Sequence, residues 1–227
     1  MSMARFPLLI LVFLFFTFKS FAQKSNEKFS PVITLRTNLF SFAESDAGIM
    51  LGIGYQWSRR FSATLDPTFI FFNPYQSIDD NGQPFGIKIR TDIRLYFDKF
   101  ILGLQRIFIA PELHFKHITT KKWATFGINC IGQSCSYYMY DIYKEVKNEI
   151  GAALKMGIIT QLDKKKRWIL EFYGGLGFKV NYFKDKDVPL GGLFMPEPSH
   201  TDIFFGFPEN VAVPIFPGSI KISYCIR

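Results

Sequence analysis

The sequence predicts an all-β chain, an eight-stranded antiparallel transmembrane (outer-membrane) β-barrel. Three observations predict this fold. Apolar and polar residues alternate with a period of two along most of the chain, an apolar segment typical of an export signal precedes them, and the connections are short on one side and long on the other. The 227 residues suffice for one domain, and a hydrophobic content of 48% excludes intrinsic disorder.

The N-terminal segment has the composition of a secretory signal. Arg5 supplies a positive charge, residues 6–18 are almost wholly apolar, and Ala22 is a small residue suited to precede a cleavage site. The apolar run is shorter than the ~20 residues that a helical membrane span needs. The predicted organisation is a signal peptide at residues 1–22, an N-terminal leader at 23–31 and a single β-barrel domain at 32–227.

The strands are predicted from the alternation alone. In residues 87–98, Ile, Thr, Leu and Phe alternate with Lys, Arg, Asp and Tyr, which places the charges on one face of a strand, whereas a helix would scatter them. Pro67 lies within the third predicted strand and predicts a bulge or a broken pair, because proline cannot donate to a ladder. The eight predicted strands are residues 33–39, 49–58, 61–71, 87–98, 107–116, 150–162, 168–181 and 220–227.

The connections between these strands differ in length according to side. With both ends of the barrel domain on the near side, the links around residue 59, at 99–106 and at 163–167 also fall there, and all three are short. The far-side links are residues 43–48, 73–85, 119–146 and 184–218. The last contains half of the chain's 12 prolines and is predicted to be irregular. Outer-membrane barrels have short periplasmic turns and long external loops, so this asymmetry indicates a location in the cell outer membrane.

The two faces of the strands have different expected environments. The apolar face carries no charge and is expected to contact outer-membrane lipid, with aromatic residues at the near-side strand ends forming a girdle. A soluble lipocalin-like barrel, with the same faces reversed, is the main structural alternative. The predicted girdle residues are Trp57, Phe61, Phe97, Trp168 and Tyr224.

The opposite face is expected to fill the lumen with charged side chains, because eight strands leave room inside only for side chains. A salt-bridged polar plug is the first interpretation, with Glu112 near Arg90 or Arg94. An anion-binding lumen is the second, since the basic groups outnumber the acidic ones. The predicted lumen charge network is Arg36, Asp66, Lys88, Arg90, Asp92, Arg94, Glu112, Lys116, Lys155, Glu171, Lys179 and Lys221.

Residues suited to catalysis or metal binding are few. Cys130 and Cys135 are close enough in sequence to form a disulfide. An exported chain enters an oxidising compartment, in which such a bond can form. None of the three histidines stands at ligand spacing from a cysteine, so no metal and no cofactor are predicted. No catalytic residue is assigned. The basic run at residues 164–167 is interpreted as a solvated turn, and no nucleic acid is expected.

Several segments together resemble a known family. They are Ile33 to Leu39, Gly52 to Trp57, Arg90 to Phe97, Gly174 to Phe178 and Ile220 to Tyr224. The chain is similar over most of residues 32–227 to small bacterial outer-membrane barrels of the OmpA-transmembrane-domain type, and more closely to exported envelope proteins of unknown function. The resemblance implies the barrel fold, the outer membrane and the barrel-assembly machinery as a partner, and it implies no catalytic residues.

Three classes of function are compatible with these features. The first is a structural or surface-interaction barrel whose external loops meet an unidentified ligand or partner. The second is a barrel that binds a small ligand or lipid. The third is a lipid-modifying enzyme at the rim, for which no serine–histidine pairing is evident, so the chain is not expected to be an enzyme. The apolar loop at residues 189–216 favours packing over the mouth or binding a partner.

Overall fold

All regular secondary structure in the described residues is β-strand. The computed structural model describes residues 29–42, 44, 46–74, 82–101, 105–130, 134–165, 167–190, 192–194 and 212–226. The predicted signal peptide and most of the leader lie outside these ranges. Residues 31–227 form one compact unit. Among the residues described, no helix has the length and apolar character needed to cross a membrane.

Eleven strands are present in this part of the chain. They are β1 (Val32–Asn38), β2 (Ala47–Met50), β3 (Gly52–Gln56), β4 (Phe61–Phe72), β5 (Phe85–Ile101), β6 (Gln105–Ile128), β7 (Tyr137–Gln161), β8 (Trp168–Lys186), β9 (Gly192–Phe194), β10 (Ala212–Ile215) and β11 (Gly218–Ile226).

The strands close into a ring. Antiparallel pairing runs from β1 through β3, β4, β5, β6, β7, β8 and β11 and then back to β1. Of the other three described strands, β2 pairs with β4 and β9 with β6, whereas β10 pairs with β8 in the same register as β11 and continues that strand. Because the path returns to its start, each of the eight strands on it has a partner on both sides, and the ring has no free edge.

The interior of the ring is polar and its outer face is apolar. Along β4, Ser62, Thr64 and Asp66 are at most 5% exposed, whereas Leu65 and Phe69 are 47% and 55% exposed. The same alternation continues along the other long strands, and the fully buried large side chains include Arg94 and Lys155. These are the two faces that the period of two predicts.

The second predicted strand is divided into β2 and β3. Leu51 separates them and lies opposite Pro67 of β4, with its N–H donating to the Pro67 carbonyl at 3.2 Å. Because Pro67 has no N–H, it cannot return a hydrogen bond to Leu51, and the ladder is broken at this one pair. The register on the two sides of the break is continuous.

The predicted far-side connection at residues 119–146 is largely paired. β6 and β7 continue through it as a hairpin, from Thr119 opposite Val146 to Ile128 opposite Tyr137. A salt bridge of 2.9 Å joins Lys122 to Glu145, and the Cys130–Cys135 disulfide closes the tip. The prediction of a loop was wrong here because the hairpin carries Thr, Lys and Tyr in place of the apolar alternation that marked the other strands.

The predicted irregular segment at residues 184–218 also contains paired strands. β9 pairs with the hairpin part of β6, and β10 pairs with β8 through residues Ala212–Ile215. Pro214 lies within β10 opposite Phe178. β10 continues β11 along β8, and the described pairing of β10 is with β8 alone, so the missing N–H of Pro214 is tolerated as at a sheet edge. Residues 195–211, which contain most of the predicted apolar loop, lie outside the described ranges.

The near-side rim carries the five predicted girdle residues. Trp57 stacks on Phe61 with ring centroids 6.4 Å apart, and Trp168 packs edge-on against Tyr224 at 5.0 Å. Phe97 is 40% exposed at the same end of β5. In the turn before β8, the carboxylate of Asp163 accepts hydrogen bonds from the backbone N–H groups of Arg167 and Trp168.

Candidate functional site inside the ring

Eight of the twelve predicted lumen charges form one connected cluster, here called the central network. They come from seven strands of the ring, and each side chain is at most 2% exposed. The network contains four bases and four acids, so its formal charge is zero. Its members are Arg36, Asp66, Asp92, Arg94, Glu112, Lys155, Glu171 and Lys221.

The signs alternate along this network. Lys155 bridges Glu112 and Asp92 at 2.5 and 2.6 Å. Asp92 also pairs with Arg94 at 2.7 Å, and Arg94 binds Glu171 through two hydrogen bonds of 2.7 and 2.9 Å. Bidentate pairs of this kind are the strongest and most directional ion pairs in proteins.

The second half of the network continues to the last strand. Glu171 also accepts from Arg36 at 2.8 Å, Arg36 lies 3.8 Å from Asp66, and Lys221 binds Asp66 at 2.6 Å. The two lysines at or near its ends, Lys155 and Lys221, both lie over the ring of Tyr173, at 4.7 and 4.9 Å from its centroid. Tyr173 therefore joins the two ends of the network through cation–π contacts.

Glycine makes room for this network on β3, the one strand of the ring path that contributes no charge to it. A Cβ atom at Gly52 would collide with the Asp66 carboxylate, and one at Gly54 would press on Thr34 and lie 3.5 Å from the Arg36 side chain. These two residues face the lumen between the charged rows of β1 and β4. Glycine at both positions therefore leaves space for the Asp66 and Arg36 side chains.

An apolar layer fills the lumen on the near side of the network. Tyr96, Phe108, Ala110 and Tyr173 are buried together there, and Tyr96 packs against Phe108 at 6.2 Å between centroids. The guanidinium of Arg94 lies 4.6 Å from the centroid of Phe108, which connects this layer to the charges above it. Side chains thus occupy the interior at both levels.

The other four predicted lumen charges lie nearer the far side, in what we call the mouth cluster. Lys88 and Arg90 pair with Glu44, the latter at 3.5 Å. Lys116 pairs with Asp46 at 2.7 Å. Three basic groups converge on one further acid: Lys116, Lys179 and His114 lie 3.1, 2.9 and 3.3 Å from Glu149. The mouth cluster comprises Glu44, Asp46, Lys88, Arg90, His114, Lys116, Glu149 and Lys179.

Glu44 reaches this cluster from the link between β1 and β2. Burial of its carboxyl favours the neutral form, but the guanidinium of Arg90 and the ammonium of Lys88 outweigh that effect and hold the pKa of Glu44 below its ordinary value. Glu44 is consequently a carboxylate at neutral pH. Its one negative charge is shared by Lys88 and Arg90 and offsets half of their positive charge.

Three acidic members of the mouth cluster were missed by the sequence analysis. Glu149 lies one residue before the predicted start of its strand, and extending the alternation 151, 153, 155 backward would have found it. Glu44 and Asp46 belong to a link with no periodicity, so no sequence signal assigns them to the lumen. Glu112, which was expected near Arg90 or Arg94, forms its ion pair with Lys155 from the neighbouring strand β7.

The described residues contain no grouping of three or more His, Cys, Asp or Glu side chains that could hold a metal ion. His114 contacts Glu149, and His117 shares a 2.7 Å hydrogen bond with Asn148. In these contacts both histidine rings meet a carboxylate or an amide. Neither of these two contacts involves a hydroxyl group, which a histidine would have to activate in a rim enzyme.

Comparisons with protein-family models, with curated proteins and with solved structures found no match to this chain. The resemblance to small outer-membrane barrels therefore stays an expectation from the sequence. What the structure itself defines is a class: an all-β antiparallel chain whose strands close into a ring, with charges inside and apolar side chains outside.

Proposed function

We propose that this chain is an eight-stranded outer-membrane β-barrel with a structural or surface-interaction role and a lumen plugged by side chains. The observation that carries the proposal is the inversion of its faces. The interior holds an electrically balanced ion-pair network, and the outer wall is apolar at mid-strand, with Leu113, Leu154 and Leu176 each about 60% exposed. Soluble monomers rarely expose apolar patches of more than a few hundred Å².

The outer apolar runs have the dimensions of a bilayer-crossing strand. They extend along residues 87–97 of β5, 107–115 of β6, 150–158 of β7 and 168–178 of β8. A tilted strand needs about 9–11 residues to cross the hydrocarbon. Because hydrocarbon offers no hydrogen-bond partners, a spanning sheet must also close on itself. The closed path of strand pairs in this chain meets that requirement.

The soluble lipocalin-like alternative requires the reverse arrangement. It would bury the apolar face around a ligand and expose the charged face to water. In this chain Arg94, Lys155 and Lys221 are at most 2% exposed, whereas Phe178 is 66% exposed. Charged side chains are almost never fully buried unless they are paired, and here all three are. The burial pattern therefore favours the membrane barrel.

The surface role is supported by the hairpin of β6 and β7 beyond the apolar band. Lys121 and Lys144 lie opposite each other on its outer face and separate that band from a distal aromatic patch. In this patch Trp123 stacks on Tyr140 at 5.2 Å between centroids, and Tyr138 is 59% exposed. Exposed aromatic side chains are enriched at protein interfaces. A patch outside the bilayer is suited to contacting a partner.

Fractionation combined with a heat-shift gel tests the location. We expect the mature chain to pellet with outer membranes and, in SDS without boiling, to migrate differently from the boiled sample, because closed barrels resist unfolding by the detergent. A protein recovered in the soluble periplasmic fraction, with identical migration before and after boiling, would contradict the proposal.

Planar-bilayer recording tests the plugged lumen. We expect no stable conductance from the purified protein, because an eight-stranded barrel has room inside only for side chains, and two filled layers block the path. Replacing Phe108 by alanine leaves the central network in place, so this variant should also remain closed. Steady anion-selective openings of the wild type would show that the lumen conducts.

A further inference from the structure

The strands alone leave the mouth cluster with an excess of positive charge. Lys88 and Arg90 of β5, Lys116 of β6 and Lys179 of β8 point into the same end of the lumen, and the strands supply one acid to them, Glu149. Lys88 and Lys116 are 5% and 6% exposed. A buried charge without a partner is strongly unfavourable, so this end of the ring requires anions from elsewhere.

Two carboxylates from outside the strands meet this requirement. Glu44 and Asp46 lie in the link between β1 and β2, yet their partners lie on β5 and β6. Neither of those strands is hydrogen-bonded to β1 or β2, so the link carries its carboxylates across the opening of the ring to reach them. The contacts join residues 44 to 70 positions apart in the chain.

The link carboxylates differ in setting from those of the central network. Their side chains are 29% and 19% exposed, whereas the acids of the central network come from strands and are at most 2% exposed. Glu44 and Asp46 thus lie at the solvent side of cations that are themselves buried. Because neither residue belongs to a strand, displacing these two carboxylates breaks no strand ladder.

We propose that the mouth cluster is a binding site for a soluble anion with two anionic groups, of the diphosphate or dicarboxylate class, and that Glu44 and Asp46 occupy it as internal ligands when the anion is absent. The anion enters from the far side, because the central network and the Phe108 layer fill the lumen below. The proposal rests on the geometry of the ring and goes beyond the structural role, since it holds whether or not the barrel spans a membrane.

Calorimetric titration of the refolded full-length mature chain in detergent micelles, with inorganic pyrophosphate as the probe, tests this. The variant E44Q/D46N keeps the size of both side chains but removes the internal competitor. We expect it to bind pyrophosphate roughly tenfold or more tightly than the wild type, because an occupied site lowers apparent affinity by the fraction that is free. Adding K88M and K116M to this variant should abolish the binding.

E145Q is the matched control, because Glu145 is a carboxylate on the outer hairpin, paired with Lys122. It should bind as the wild type does. Equal affinities of E44Q/D46N and the wild type, or binding that survives the loss of both lysines, would overturn the proposal and leave the link as a structural plug. Absence of any binding by a folded E44Q/D46N would do the same.

A measurement on the wild type covers the case in which E44Q/D46N fails to fold. A water-soluble carbodiimide with an amine labels accessible carboxyls, and mass spectrometry identifies the labelled residues. Saturating pyrophosphate should increase labelling of Glu44 and Asp46, because the displaced side chains enter solvent, while Asp163 in the near-side turn should label equally with and without it. Unchanged labelling of Glu44 and Asp46 would refute the displacement.

Discussion

Replacing Glu171 by alanine is expected to destabilise the protein by about 3–5 kcal/mol, the penalty for breaking a buried ion pair by removing one partner. Glu171 accepts from both Arg94 and Arg36, and its side chain is 2% exposed. Without Glu171, the two guanidinium groups lose a shared partner, and the four basic groups of the central network face only three acidic ones. Urea unfolding of the refolded protein, followed by tryptophan fluorescence and by the gel shift, measures the change.

Glu145→Ala is the control for that experiment. Glu145 also forms a salt bridge, but its side chain and that of Lys122 are 24% and 32% exposed, so water replaces the lost partner. We expect a change of about 0–1 kcal/mol. If the two variants lost equal stability, the central network would contribute no more than a surface pair, and the interpretation of the lumen as a dry, balanced plug would be wrong.

Replacing Ile93 by arginine is expected to have a comparable effect on the outer face of β5. Ile93 is 46% exposed near the middle of the outer apolar run of β5. In a bilayer, a cation at this depth costs about 2–4 kcal/mol, so the variant should fold poorly into lipid vesicles or lose that much stability. Folding yield into vesicles, read from the heat-shift gel, is the measurement.

Two substitutions isolate the cause. Ile93→Leu keeps the position apolar and should fold as the wild type does. Leu190→Arg introduces the same cation at a position that is fully exposed after the end of β8, where it should be neutral. Normal folding of Ile93→Arg in vesicles would mean that the outer wall of β5 does not meet hydrocarbon, and the proposed membrane location would fall with it.

The faces of the strands could be predicted from the sequence because side-chain direction is a local property. A residue such as Arg94 points to the side opposite Ile93 whatever the strand pairs with. The twelve predicted lumen residues accordingly all contribute to the two clusters inside the ring. The position of the five aromatic residues at the near-side strand ends could be predicted for the same reason, since strand ends are marked by short turns.

The partners of these side chains could not be predicted in the same way. Whether Glu112 meets Arg94 or Lys155 depends on the stagger between strands and on distances across the ring, and neither is written in one segment of sequence. The contribution of Glu44 was hidden because links carry no period. The paired hairpin beyond residue 119 was hidden because its outer face is polar or aromatic, so pairing there is not accompanied by apolar alternation.

The neutral central network constrains how the chain can assemble. Arg36 on the first strand of the ring and Lys221 on the last bind within it, so it is complete only after β1 and β11 have met. A strand that slips by one residue would turn its charge outward, and a slip by two would move its charge away from the partners that it has in the correct register. The interior therefore selects for the correct register, because closure of the ring forms all the buried ion pairs only when every strand is correctly aligned. In a chain that lacks its last strand, Asp66 has no Lys221 to bind.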